Sequence, residues 1–173
     1  GGMGIKYDNK TKSLNYKKYN LLIKKFLKKN NVKIIFEPGR SIIADTAILL
    51  TKIIYIKKTN KKNFVILDAA MNDLMRPALY GSIHQIIPLK KNNKLINKKH
   101  DFVGPICEST DKFLSLNGYQ KIKQRDIVLI CDVGAYGMVL SSNYNLRPKP
   151  PEILVNKSSV KIITKRQKLN NII

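Results

Sequence analysis

The stretch Val32-Lys33-Ile34-Ile35-Phe36-Glu37-Pro38-Gly39-Arg40-Ser41 decides how this chain is read. Val32 to Phe36 is a short, nearly continuous apolar run, the pattern of a strand buried in a parallel sheet. Polar residues follow at once, and the C-terminal ends of such strands are where β/α proteins carry their chemistry. Glu37 is thus either a site carboxylate or a loop partner of Arg40. The spacing leaves both open.

Upstream, Tyr19, Leu22, Ile23, Phe26 and Leu27 fall at i, i+3, i+4, i+7 and i+8. That periodicity predicts an amphipathic helix between Leu14 and Lys29 with lysines on its outer face, ended by Asn30-Asn31. Before it, Gly1-Gly2-Met3-Gly4-Ile5 is a Gly-rich turn, open enough for backbone N–H groups to approach an anion. The chain begins on Gly-Gly rather than Met, as expected of a chain cut inside a motif.

Downstream the character changes. Ile48 to Ile56 and Phe64 to Leu67 are strand-like and flank a Lys/Asn/Thr turn, which predicts a hairpin. Asp73 to Tyr80 contains Pro77, which limits any helix there to about a turn. Ile83 to Leu89, Asp101 to Val103 and Ile127 to Cys131 predict further short strands. The Lys/Asn-rich residues 90–100 are expected to form a solvated loop. Arg147-Pro148-Lys149-Pro150-Pro151 reads as an extended linker. Ile153 to Val155 and Val160 to Thr164 read as a closing pair of strands, and Lys161 to Ile173 as a frayed tail. The chain is therefore α/β plus β, a βα piece to about residue 45 and then a mostly β domain.

The formal net charge of +22 invites a nucleic-acid reading. The positive residues are nearly all Lys, scattered in pairs along the whole length, while Arg, the usual reader of base edges, is scarce. Lys, Asn and Ile also share A/T-rich codons, so the charge carries little information about partners. Cys107 and Cys131 have neither CxxC spacing nor a His cluster, which excludes a zinc or disulfide framework. No apolar run approaches about 18 residues, and no secretory signal is present, so a reducing cytoplasm is the expected setting.

Gly104-Pro105-Ile106-Cys107-Glu108-Ser109-Thr110-Asp111 sets a thiol beside a carboxylate after a Gly-Pro turn. A lone Cys is commonly a small buried hydrophobe. Beside an acid it can also be reactive, because the neighbour helps decide whether sulfur keeps its proton.

Taken in order, six stretches resemble the fold-type III, alanine-racemase-like pyridoxal-phosphate decarboxylases, in particular the branch acting on diaminopimelate. They are Gly1–Ile5, Glu37–Arg40, Met71–Tyr80, Gly104–Asp111, Asp132–Tyr136 and Asn143–Pro148. The resemblance implies that residues 1–45 end a pyridoxal-phosphate-binding (β/α)8 barrel and that 46–173 form the β-rich C-terminal domain. It implies decarboxylation of meso-2,6-diaminopimelate to L-lysine, with pyridoxal 5′-phosphate as cofactor and a homodimer with shared sites. Gly1, Gly2 and the backbone of Gly39 and Arg40 would cradle the cofactor phosphate, Pro38 would also lie at the cofactor, and Glu37 would bond its ring nitrogen. Arg40, Arg76 and Tyr80 would hold substrate carboxylate, Glu108 its distal amino group, and Tyr136 would contact cofactor and substrate. Cys107 would be the proton donor. Relatives acting on ornithine or arginine usually carry Cys-Asp where this chain has Cys107-Glu108. The family's Schiff-base Lys and ring-stacking His belong to the N-terminal barrel half, so these 173 residues alone are expected neither to bind the cofactor covalently nor to decarboxylate.

Overall fold

The computed structural model describes residues 2–7 and 13–173. Gly1, placed by the sequence in the Gly-rich turn, lies outside them. Helix α1 (Tyr16–Lys29) forms where the periodicity puts it. Asn15 Oδ1 caps its start by accepting from the Lys18 N–H at 3.0 Å, and Lys28 and Lys29 in its last turn suit the helix dipole. Asn30 ends it, with backbone N–H and Nδ2 both donating to the Phe26 carbonyl. No residue of α1 is buried, and Leu22 and Phe26 stand 66% and 49% exposed. Tyr19 meets Phe36 edge-on, ring centroids 6.1 Å apart.

Val32 to Phe36 is not a strand. Ile35 is 87% exposed, and no described strand pairs with the run. A parallel strand exists only within a ladder, so apolar sequence without a neighbour stays extended coil. Helix α2 (Arg40–Ile43) and a 3-10 turn (Ala44–Thr46) lead on to the sheet.

That sheet has six strands: β1 (Leu49–Lys58), β2 (Lys62–Leu67), β3 (Ile86–Pro88), β4 (Leu95–Val103), β5 (Lys112–Gln120) and β6 (Ile127–Ile130). Their spatial order is β3-β6-β1-β2-β4-β5. The predicted hairpin is β1–β2, with Ile53 opposite Leu67 and Lys58 opposite Asn63. β2 and β4 are the one parallel pair among the described strands, Lys62 opposite Lys99 and Ile66 opposite Val103. Residues 95–100, expected as loop, are the first part of β4. β5 pairs antiparallel with them, so their backbone is hydrogen-bonded, while Lys99 is exposed and the half-buried Lys98 donates its Nζ to the Thr59 carbonyl. Alternate residues Val65 and Leu67 of β2 join Ile53, Phe102, Phe113, Tyr119, Val128 and Ile130 in the core. β7 (Glu152–Asn156) and β8 (Ser159–Thr164) form a separate two-stranded ribbon, the closing pair read from sequence. Among the described residues, no helix is long and apolar enough to cross a membrane.

This topology gives the sheet a polarity. β2 and β4 run parallel, so Leu67 and Val103 leave from the same end. Leu49 of β1 and Ile130 of β6 pair beside them. Three of the six stretches singled out in the sequence, 71–80, 104–111 and 132–136, therefore emerge together at one end.

Candidate active site

Tyr136 reaches the N-terminal segments through tight backbone contact. Val133 and Gly134 N–H groups donate to the carbonyls of Ala47 and Ala44, at 3.0 and 2.9 Å. A Cβ at Gly134 would stand 2.0 Å from the Ile43 carbonyl oxygen, so no larger residue fits that approach. Tyr136 itself holds φ at +62°, a left-handed value that costs an aromatic residue energy and is typical of functional sites.

The result is a cavity of about 290 Å³ lined by Gly2, Met3, Glu37, Gly39, Arg40 and Tyr136. Five of these carry the sequence's cofactor assignments. Arg40 does not pair with Glu37. Its Nε and Nη2 instead donate to the carbonyls of Met3 and Gly2, at 3.4 and 3.5 Å, which leaves the exposed Glu37 carboxylate facing the cavity without an ion-pair partner among the described residues.

Arg76 opens α3 (Arg76–Tyr80), the one-turn helix that Pro77 permits. It is buried, 4% exposed, rather than offered at the surface. Its Nη1 donates to Tyr7 Oη at 2.8 Å and to His84 Nε2 at 3.3 Å. The Tyr136 ring lies 5.7 Å from its Cζ, which ties Arg76 to the cavity wall. Tyr80, at the other end of α3, is exposed and does not line the cavity.

Cys107 and Glu108 are exposed on their own loop and do not line the cavity either. Asp111 builds that loop. Its Oδ1 accepts from the Met71 N–H and its Oδ2 from the Ile106 N–H, both at 2.8 Å. Burial pushes the Asp111 carboxyl above its ordinary value, with the two backbone hydrogen bonds pulling back. Tyr144 Oη donates to Glu108 Oε2 at 3.3 Å. Arg147 anchors the same region: Nε donates to Asn72 Oδ1 at 2.9 Å, Nη2 to the Asp68 carbonyl, and Nη2 lies 3.6 Å from Asp73 Oδ2. The segment 147–151 is thus a tether rather than a free linker. Asp111, His84, Tyr7, Asp73 and Arg147 had no role in the sequence reading. Asp73, Asp111 and Arg147 lay within quoted motifs, but only folding reveals which backbone groups and side chains they partner.

The description "Pyridoxal-dependent decarboxylase, C-terminal sheet domain" matches residues 8–134. The chain belongs to this family of pyridoxal-dependent decarboxylases, within its C-terminal sheet domain. More particularly, it is 41% identical over 176 residues to a diaminopimelate decarboxylase of Aquifex aeolicus, covering 100% of this chain and 41% of that protein. A crystal structure of diaminopimelate decarboxylase from Helicobacter pylori complexed with L-lysine superposes with a TM-score of 0.88 at 37% identity, covering 99% of this chain and 42% of that one. The diaminopimelate decarboxylase of M. jannaschii in complex with L-lysine gives 0.89 at 36%, covering 99% of this chain and 40% of that one. The chain thus spans about two fifths of the length of the relatives it matches.

Proposed function

We propose that this chain contributes to the active sites of a pyridoxal-phosphate enzyme that converts meso-diaminopimelate to L-lysine and CO2. The observation that carries the reading is the gathering of Gly2, Glu37, Gly39, Arg40 and Tyr136 around one cavity. Its walls fit a phosphorylated pyridine. Nothing lies within 4 Å of where a Cβ would stand at Gly2 or Gly39, so the backbone there is open to a ligand. Pyridoxal 5′-phosphate, when bound, supplies the electron sink that lets a carboxylate leave as CO2.

The chain's own residues then divide the work. The backbone N–H groups at Gly2, Gly39 and Arg40 hold phosphate oxygens. Glu37 holds a proton on the ring nitrogen, and Tyr136 covers the cofactor and substrate side of the cavity. Arg40, Arg76 and Tyr80 take substrate carboxylate, Arg being suited to the two-pronged contact. Glu108 receives the distal amino group, and Cys107 Sγ gives a proton to the substrate carbon that has lost CO2.

Cys107 and Glu108 stand away from the cavity of their own chain, which supports a homodimer in which each loop serves the site of the other copy. The exposed apolar face of α1 and the uncovered run Val32–Phe36 support reading residues 1–45 as the end of a larger (β/α)8 barrel and 46–173 as the C-terminal domain. No lysine of this chain is assigned the covalent role.

The test is the full-length protein containing this chain, loaded with pyridoxal phosphate and assayed for CO2 from meso-diaminopimelate, ornithine and arginine. Preference for meso-diaminopimelate that weakens in Glu108→Asp is expected. Equal or greater activity on ornithine or arginine would reject the substrate assignment.

A further inference from the structure

His84 is 1% exposed and makes two directional contacts. Its Nδ1 lies 2.9 Å from the Cys131 carbonyl oxygen, which can only accept. Its Nε2 lies 3.3 Å from Arg76 Nη1, which can only donate. One protonation pattern satisfies both: the proton on Nδ1 and the lone pair on Nε2. An imidazolium would turn an N–H against the guanidinium.

Arg76 Nη1 is thereby fully used. One N–H goes to His84 and the other to Tyr7 Oη, whose ring also meets the imidazole edge-on with centroids 5.4 Å apart. Arg76 Nε is buried and has no acceptor among the described residues. A buried donor left unpaired is costly, so an acceptor that reaches it when a ligand binds is favoured. The Nε–H and Nη2–H bonds of a guanidinium point the same way, forming a fork that matches the two oxygens of a carboxylate.

We propose that His84 is a positioning residue: held from behind by the Cys131 carbonyl, its Nε2 occupies Arg76 Nη1 and keeps the Nε/Nη2 fork for a ligand carboxylate. The inference rests on the reading of Arg76 as a carboxylate-binding arginine. Without the imidazole acceptor, Nη1 competes for the same oxygens and the fork loses its orientation. Substrate affinity then suffers more than the chemical step does.

The experiment uses the full-length protein, loaded with pyridoxal phosphate, in four variants: His84→Phe, His84→Gln, Arg76→Gln and the double His84→Phe/Arg76→Gln. His84→Phe is expected to raise KM for meso-diaminopimelate about tenfold with kcat within about threefold, the mark of lost binding common to ground and transition states. His84→Gln, which retains an acceptor, should recover most of that loss. In the Arg76→Gln background the His84 change should add less than about twofold, since the two act as one unit. An unchanged KM in folded His84→Phe, or an undiminished effect in the double variant, overturns the positioning role while Arg76→Gln still tests the clamp. An unchanged KM in Arg76→Gln overturns the reading of Arg76 itself, and the proposal with it. If His84→Phe does not fold, long-range 1H–15N correlation on histidine-labelled unaltered enzyme decides, with the His84 signals assigned from the spectrum of His84→Gln. A neutral ring protonated at Nδ1 is expected, and protonation at Nε2 at neutral pH overturns the proposal.

Discussion

A Cβ on Gly104 would stand 2.2 Å from Asp111 Oδ2, the oxygen that accepts the Ile106 N–H. The backbone closes the same ring, with the Gly104 N–H donating to the Asp111 carbonyl at 3.0 Å. One carboxylate therefore ties both sides of the turn that presents Cys107 and Glu108, and fastens it to Met71 as well. The exposed Cys-Glu pair is displayed on a frame that is itself buried.

Gly104→Ala should consequently destabilise the domain and loosen the loop together. The added methyl overpacks a site with no slack, at a cost of about 1–3 kcal/mol. Urea unfolding of the full-length protein would measure it. A variant as stable as the parent would mean that Asp111 can move aside without loss.

A second prediction concerns the opposite face of the β2–β4–β5 sheet. Asp101, 2% exposed, accepts from Lys62 Nζ and Ser115 Oγ, both at 2.6 Å, with Lys112 Nζ at 3.8 Å. Burial pushes its carboxyl up, but those hydrogen bonds and the two lysine charges outweigh it and hold the carboxyl below its ordinary value. Lys62→Met removes the shortest charged contact and leaves the carboxylate under-paired. Because Lys62 is one third exposed and screened, the expected loss is about 1–3 kcal/mol rather than the full cost of a buried pair. Chemical denaturation reads it, and Lys62→Met/Asp101→Asn should be less destabilised than Lys62→Met alone.

How far the sequence went can be judged from particular elements. The periodicity of α1, the β1–β2 hairpin, the one-turn helix at Pro77 and the β7–β8 pair were all legible, because each is set by local pattern and turn chemistry. β5 was not. Ser115, Asn117 and Gly118 interrupt its apolar residues, and Gly118 sits at φ +84°, so period-two alternation is blurred. The lysines of residues 95–100 disguised a strand whose side chains alternate, Leu95, Asn97 and Lys99 exposed and Ile96, Lys98 and His100 turned inward. The parallel β2–β4 pairing joins residues 37 positions apart, which no local signal announces. Within the site, the residues facing the cavity were named from motifs. His84 and Asp111 were not, because their partners are backbone groups and, for His84, side chains distant in sequence such as Tyr7, none of which a local pattern labels.

The His84 environment also predicts a pH dependence of stability. Burial lowers its pKa below the ordinary 6.5, with the Arg76 charge acting in the same direction and the Cys131 carbonyl opposing both. The unfolded chain therefore binds the proton more readily. The contribution is complete above the unfolded pKa and is lost as pH falls through the depressed folded value. Asp73 and Asp111, raised above 3.8 chiefly by burial, run the other way, their contribution present below 3.8 and lost as pH rises through their folded values. Between pH 7.5 and 5.5 the unaltered protein should thus lose Tm faster than His84→Gln, and calorimetry on both across that range checks it. Parallel curves would place His84 in an ordinary solvated environment.

Cys107 supports the last prediction, which separates its chemistry from its subunit. As a proton donor its removal should lower kcat by about a hundredfold or more, the usual scale of general acid catalysis. Cys107→Ala does so on the loop, whereas Arg40→Ala damages the cavity. If each loop completes the other copy's site, unfolding and refolding an equal mixture of these two inactive variants restores activity. Half of the dimers are then mixed, and each mixed dimer carries one site with both residues intact, so recovery is about a quarter of the parent. If instead Cys107 serves the cavity of its own chain, every site in the mixture lacks one residue and no activity returns. Activity measured against the mixing ratio distinguishes the two, with a maximum at equal proportions expected.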